Sequence, residues 1–348
     1  MSAMARWHWS LALAALLTAC GSPPPAAPAA DGGPAGAARS GSAPTGQVLA
    51  RSERWLIYRS GPGESLQDIA RHFLGSPDQD WVIGDFNRVS QLGAGQSVAV
   101  PLQPFNPLGI YGDRYQTVPI LCYHRFGGNG GSKMTVSAST FSAQLDWLAR
   151  NGFRVLRLAD LADWLAGKRA LPMKSVVITA DDGYASFYRY AFPLLQRQGF
   201  AATLFVYTDF IGAGDAVDWA ELGEMTRSGL VDVQAHSHTH RNLIERQRTE
   251  TDAHYQQTLN DEIRTPQTLL ARRLGTRQQH YAYPYGDANE AVLAALARHD
   301  YKLAVTVNPG GNAFFAQPLM LRRTMIFGDM SLEEFKSRLQ ISRGIDTR

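Results

Sequence analysis

From Val118 onward, short apolar runs alternate with stretches of helical length, and no other feature limits the possible folds as sharply. The runs lie at 120–123, 154–156, 176–179, 202–206, 231–234, 280–282 and 303–307, separated by stretches such as STFSAQLDWLARNG and ASFYRYAFPLLQRQG. Strands divided by helices of this length pair in parallel, as βαβ units. An open sheet and a closed barrel both satisfy the spacing; about seven repeats favour the barrel.

The N-terminal region has a different character. Arg6 precedes the apolar run LALAALLTAC, which ends at Cys20. A basic start, a short apolar core and small residues before a cut describe a secretory signal over 1–19, too short to span a bilayer. LTAC (17–20) also resembles a bacterial lipobox, in which Cys20 is lipidated and becomes the mature N-terminus. Gly21 rather than Asp follows it, so the expected location is the bacterial cell envelope, lipid-anchored at the outer membrane and facing the periplasm or the surface. Cys122 then has no partner in the mature chain, and no intrachain disulfide is expected. Residues 20–47 are dominated by Pro, Ala, Gly and Ser and read as a flexible tether.

Between tether and barrel lies a second small unit. Trp55, Ile57 and Tyr58 read as a strand, and Ser65 is placed to cap a helix carrying Leu66, Ile69, Ala70 and Phe73 on one face. A second helix carries Trp81, Ile83 and Phe86, and SVAVPL closes as a strand. This βααβ order, with GESLQDIA, Asn87 and GAGQSVAVP, resembles a lysin-motif (LysM) domain over 48–102, followed by a linker at 103–117. The resemblance implies a glycan partner containing N-acetylglucosamine, in a cell wall or an exopolysaccharide. The net charge of +3 comes without a Lys/Arg cluster interleaved with aromatics, so nucleic acid is not an expected partner.

Two clusters at strand ends carry the chemistry. TADDG puts Asp181 and Asp182 where the third run becomes a loop, the end at which parallel α/β folds gather catalytic residues. Adjacent carboxylates repel, so a solvated turn explains them unless a cation is bound. One then ligates it while the other stays ionised as a base. HSHTH follows the run at 231–234 and falls on the same face. On a helix or tight helical turn His236 and His240 lie about 6 Å apart and can share an ion; on a strand about 13 Å separates them. A polar surface turn accounts for either cluster alone. Together, one Asp and two His with open positions match a catalytic zinc site.

TADDG, HSHTH and YAYPYG (281–286), in this order and after the opening VPILCYH, resemble the motifs of the polysaccharide deacetylases, carbohydrate esterase family 4 with a nodulation-protein-B-like domain. The resemblance spans about 118–335. It implies a distorted (β/α)7 barrel, a divalent metal with Zn2+ the first candidate, and removal of N-acetyl or O-acetyl groups from a polymer. By that resemblance Asp182, His236 and His240 are metal ligands and Asp181 is the general base. The backbone N–H of Tyr285 stabilises the oxyanion, in a loop shaped by Pro284 and Gly286.

The chain departs from the family around this core. The arginine that opens the third motif is Ala282, and the phenylalanine before the Asp pair is Ala180. No Leu-x-His near the C-terminal end supplies the acid histidine; the comparable region reads LMLRRTMIF. His124 is the candidate substitute acid. Arg323 is the candidate partner of Asp181, since adjacent arginines on a strand face opposite ways and the resemblance favours this one. The resulting expectation is an N-deacetylase of an N-acetylglucosamine polymer, peptidoglycan or exopolysaccharide. A non-catalytic glycan-binding lipoprotein and an O-acetyl esterase remain as alternatives.

Overall fold

The computed structural model describes residues 44–128 and 132–345; the expected signal peptide, Cys20 and nearly all of the tether lie outside the described residues. The small unit begins with β1 (Gln47–Arg51) and β2 (Trp55–Arg59) and runs through α1 (Leu66–Phe73) and α2 (Asp80–Asn87) to β3 (Ser97–Pro101). Its strands form one antiparallel sheet in the order β1-β2-β3. Strand β1 is an addition to the expected βααβ order. All five of its residues are exposed, so it lacks the apolar alternation that reveals a half-buried strand. Ser65 caps α1 as expected, in a reciprocal capping box with Asp68. Asn87 joins α2 to β3, donating to Ala99 O at 2.7 Å and accepting from Ala99 N at 2.9 Å.

The larger unit opens with β4 (Arg114–Val118), so residues 114–117, expected as linker, are strand. It continues with β5 (Ile120–Tyr123), β6 (Arg125–Gly127), β7 (Thr135–Ser137), α3 (Ala138–Arg150), β8 (Arg154–Leu156), α4 (Asp160–Leu165) and β9 (Ser175–Ala180). Next come α5 (Phe192–Gln198), β10 (Ala202–Val206), α6 (Trp219–Arg227), β11 (Val231–Ala235), α7 (Asp252–Leu274) and β12 (His280–Ala282). The chain ends with α8 (Glu290–Arg298), β13 (Leu303–Val305), β14 (Asn312–Ala313), β15 (Thr324–Met325), α9 (Leu332–Arg338) and β16 (Ser342–Gly344).

Strands β5, β9, β10, β11, β12 and β13 are parallel neighbours in that order. Thr324 and Met325 of β15 pair with β5, and Leu321 just ahead of them bridges Val305 of β13. These contacts close a ring of seven, a distorted (β/α)7 barrel. Every residue of β9 and β10 is buried, as staves covered by side chains inside and helices outside must be. The run at 154–156 is a strand, but it pairs only along the lower half of β9; the seventh stave is β15. With two residues and arginines at its entrance, β15 has no periodicity to read.

The small unit is docked against the barrel. Arg154 Nη2 lies 2.7 and 2.8 Å from the two carboxylate oxygens of Asp80 on α2, and Met173 N donates to Asp85 at 2.9 Å. Arg154 opens β8 and Met173 just precedes β9, so the contact is at the amino ends of the barrel strands.

Candidate active site

At the opposite, carboxyl end, β9 delivers Asp181 and Asp182 and β11 delivers His236. Asp182 (φ 73°) and Gly183 (φ 80°) turn the chain sharply, and a Cβ on Gly183 would lie 2.8 Å from Val206 Cγ1. The HSHTH segment is not the helical turn that its spacing suggested. Ser237 (φ 73°) and His240 (φ 63°) are left-handed, and Ser237 Oγ accepts from His240 N at 2.8 Å. Buried Glu262 of α7 holds the turn, accepting from His238 N, Thr239 N and Thr239 Oγ1. Among the described residues seven non-glycine positions have positive φ, and four of them, Asp182, Ser237, His240 and Tyr285, are in this site. Strain of this kind persists where surrounding contacts impose it, as at ligand clamps.

Asp182 Oδ1 lies 3.4 Å from His236 Nε2 and 3.2 Å from His240 Nε2. His236 Nδ1 donates to Ala282 O at 2.7 Å, which turns the Nε2 lone pair inward. With Nε2 unprotonated on both imidazoles three acceptor atoms converge, which a cation among them would satisfy; with Nε2 protonated the same atoms donate to Asp182. Two ligands about 2.0–2.1 Å from one ion at a tetrahedral angle stand roughly 3.3 Å apart, so the observed separations fit a shared Zn2+. Burial opposes ionisation of Asp182, but hydrogen bonds from His236 and His240 prevail and hold its carboxyl far below the usual range. Burial likewise disfavours charge on His236, yet the Asp182 hydrogen bond prevails and raises its pKa. Both directions say that positive charge is favoured between these groups. His238 stands apart, its Nδ1 2.9 Å from Thr208 Oγ1.

Asp181 is 2% exposed and does not join this triad. Arg323, fully buried, meets it with a bidentate fork: Nη1 is 2.6 Å from Oδ1 and Nη2 is 2.7 Å from Oδ2. Arg323 Nε donates to Thr306 O at 2.8 Å and Nη1 also to Thr179 Oγ1 at 3.2 Å, so the guanidinium is fixed at both ends. Burial raises the Asp181 pKa, but the Arg323 charge and fork outweigh it and the carboxyl is held below its ordinary value. The guanidinium reaches Asp181 from just before β15, while Ala282, where the family carries arginine, is fully buried and contributes its carbonyl to His236.

His124 follows β5 and lies close enough to Asp181 for their ligating atoms to be grouped within 4.8 Å. Burial pushes its pKa down, against the pull of Asp181 and Asp182, so neutral imidazole is its favoured form near pH 7. Tyr285 (φ 63°) projects at the mouth, 61% exposed, with its ring 5.0 Å from that of His240. Gly286 makes this loop possible: at φ 79°, a Cβ there would fall 2.4 Å from Val307 Cγ2. On the other side of His240 stands Tyr207, also at 5.0 Å, stacked on Phe210. The sequence reading missed Glu262, Thr179, Thr306 and Cys122, whose Sγ is 3.5 Å from Asp181 Oδ2. Thr179 opens TADDG and Cys122 lies in VPILCYH, two residues before His124 on an adjoining stave, so both had a positional signal; Glu262 and Thr306 belong to no motif.

Comparison with known proteins agrees with this geometry. Residues 168–304 match the polysaccharide deacetylase family model. The poly-beta-1,6-N-acetyl-D-glucosamine N-deacetylase of Escherichia coli is 26% identical over 241 residues, covering 59% of this chain and 36% of that protein. The chain thus spans about a third of that relative's length. Among solved structures, the Streptococcus pyogenes deacetylase PplD in complex with acetate superposes with a TM-score of 0.59 at 26% identity, over 64% of this chain and 98% of that one. IcaB from Ammonifex degensii superposes with a TM-score of 0.58 at 28% identity, over 65% and 97%. By motif order, family match and fold together, the barrel of this chain is similar to polysaccharide deacetylase domains.

Proposed function

We propose that the chain is a metal-dependent hydrolase that removes N-acetyl groups from a polysaccharide containing N-acetylglucosamine. The observation that carries this reading is a carboxylate clamped by Arg323 directly beside a triad of acceptors, Asp182, His236 and His240, suited to a divalent ion. Zn2+ is the favoured ion because its tetrahedral geometry matches the ligand separations. When bound, the ion supplies Lewis acidity toward an acetyl carbonyl and a lowered pKa for water. Asp181 accepts the proton of the attacking water, and its Arg323 fork sets the orientation and keeps it ionised. The Tyr285 N–H stabilises the negative charge that develops on the carbonyl oxygen. The proton taken up by Asp181 passes to His124, whose ring lies within 4.8 Å of that carboxylate, and from His124 to the departing amine, which returns Asp181 to its ionised form. Tyr207 and Tyr285, flanking His240, offer ring faces to the sugar beside the scissile group.

One observation favours a second reading. A neutral His124 is a poor resting acid for an amine, and a sugar alkoxide leaves with less need of protonation, as in O-acetyl ester hydrolysis. We further propose that the small unit is a LysM-type glycan-binding module and that the chain is lipid-anchored through Cys20 at the cell envelope. The deciding experiment measures acetate release from poly-β-1,6-N-acetylglucosamine, chitooligosaccharides, peptidoglycan and O-acetylated glycan, with and without chelator. Chelator-sensitive acetate from an N-acetylated polymer supports the proposal. Acetate from the O-acetylated glycan alone transfers it to the esterase reading, and none from any substrate defeats both.

A further inference from the structure

We propose that Cys122, His124 and Asp181 form a second, inhibitory site for a thiophilic divalent cation such as Zn2+ or Cd2+, separate from the Asp182–His236–His240 triad. One ligating atom from each of the three residues lies within 4.8 Å of the others. Cys122 and His124 are two residues apart at the end of β5, where that spacing puts side chains on one face. His124 Nδ1 is buried with no hydrogen-bond partner, which leaves an imidazole nitrogen uncommitted. The Arg323 fork occupies one lone pair on each Asp181 oxygen, and a carboxylate offers about four such positions. Cys122 Sγ, 3.5 Å from Oδ2, marks a free one.

Binding exchanges a proton for the ion. The Cys122 S–H bond breaks, the sulfur keeps the electron pair and forms the S–metal bond, and the proton leaves to solvent; nothing is oxidised or reduced. Thiolate and carboxylate each carry one negative charge, so a divalent ion leaves the cluster neutral beside the Arg323 cation. Sulfur and imidazole together select Zn2+ or Cd2+ over Mg2+ and Ca2+. Burial raises the Cys122 thiol well above its ordinary pKa, so metal must compete with a firmly held proton. The triad fills first, and this site fills only in excess metal. Its consequence rests on the deacetylase reading: an ion here takes both Asp181 and His124 out of proton transfer.

The test uses the full chain carrying Cys20→Ser, which leaves Cys122 as the sole thiol of the two in the sequence. After one equivalent of Zn2+, titration with Cd2+ is expected to raise a sulfur-to-cadmium charge-transfer band with one further ion bound by equilibrium dialysis. Cys122→Ser should lose the band, and His124→Ala should weaken the further ion by about tenfold or more. Acetate release should fall as Zn2+ passes one equivalent, and Cys122→Ser should resist that fall. Absence of the band from folded protein at saturating Cd2+, or unchanged affinity in His124→Ala, overturns the site. If Cys122→Ser does not fold, the His124→Ala comparison decides. A band accompanied by no acetate release at any Zn2+ level upholds the site and defeats the deacetylase reading instead. Acetate release that is undiminished with the site filled overturns the inhibitory role.

Discussion

Replacing Arg323 with Met removes the fork while keeping most of the buried volume. Asp181 would then be left, 2% exposed, with Cys122 at 3.5 Å as its remaining hydrogen-bond partner, and Thr306 O would lose its donor. Breaking a buried pair by removing one partner costs about 3–5 kcal/mol, because the other charge stays buried without compensation. For a domain of this size that lowers Tm by roughly 6–20 °C. Turnover should fall about 10²-fold or more, since a base displaced by an ångström loses that much even when chemically intact. Arg323→Met/Asp181→Asn should regain part of the stability and none of the activity.

The pH dependence gives an independent check. In the wild type the folded pKa of Asp181 is lowered, so its contribution is present above the unfolded carboxylate pKa and fades as pH falls through the folded value. In Arg323→Met the largest depressing charge is gone and burial raises the pKa against the lesser pull of His236 and His124, so the variant gains stability as pH falls and Asp181 protonates. The stability gap should therefore narrow on acidification, as measured by urea unfolding over a pH series. A gap that stays constant or widens, or an Arg323→Met protein with wild-type Tm and rate, refutes the reasoning.

Asp181→Asn should retain its metal and lose about 10²–10⁴-fold in turnover, because an amide cannot take the proton; elemental analysis beside acetate release checks both halves. His236→Ala/His240→Ala should bind no ion at the triad, and full metal occupancy there would place the site elsewhere. Gly286→Ala should be destabilised and slow, since its Cβ would meet the Val307 backbone N at 2.7 Å as well as the side chain; thermal melts and kcat together test this. Cys20→Ser should move the protein from the membrane fraction to a soluble or unprocessed form, and an unchanged lipid-labelling pattern would exclude Cys20 as the acceptor.

The parts of the fold that could be read in the sequence are those where burial and periodicity coincide. Strands β9, β10 and β11 announce themselves because nearly every position faces apolar surroundings. Strand β1, wholly exposed, and β15, two residues long, offer no pattern, and both are defined by the strands they pair with. The site shows the same division. Asp181, Asp182, His236 and His240 are legible because each sits just past a strand end within a short motif. The backbone that brings His236 and His240 to ring centroids 4.8 Å apart is not, because spacing alone suggested a helix where two left-handed residues do the work. That turn is fixed by Glu262, more than twenty residues along the chain on α7, a tertiary contact with no local signature.

Arg323 shows how a site can be kept while its sequence motif is lost. What Asp181 requires is a guanidinium at its two oxygens, not an arginine at a given place in the chain. The ring closes through β15, which pairs with β5, and β5 pairs with β9, whose end carries Asp181. A side chain from the segment entering β15 therefore reaches the base from a neighbouring stave, and Thr306, just past β13, receives its other end. Ala282 is then free to be small, while its main-chain carbonyl, which any residue there would offer, orients His236. The docked small unit completes the arrangement from the other side. Its Asp80 and Asp85 contacts fall at the amino ends of β8 and β9, whereas every candidate catalytic group stands at the carboxyl ends. Under the proposal that this unit binds glycan, the bound chain lies at the end of the barrel opposite the cleft, so it is not handed directly from one site to the other.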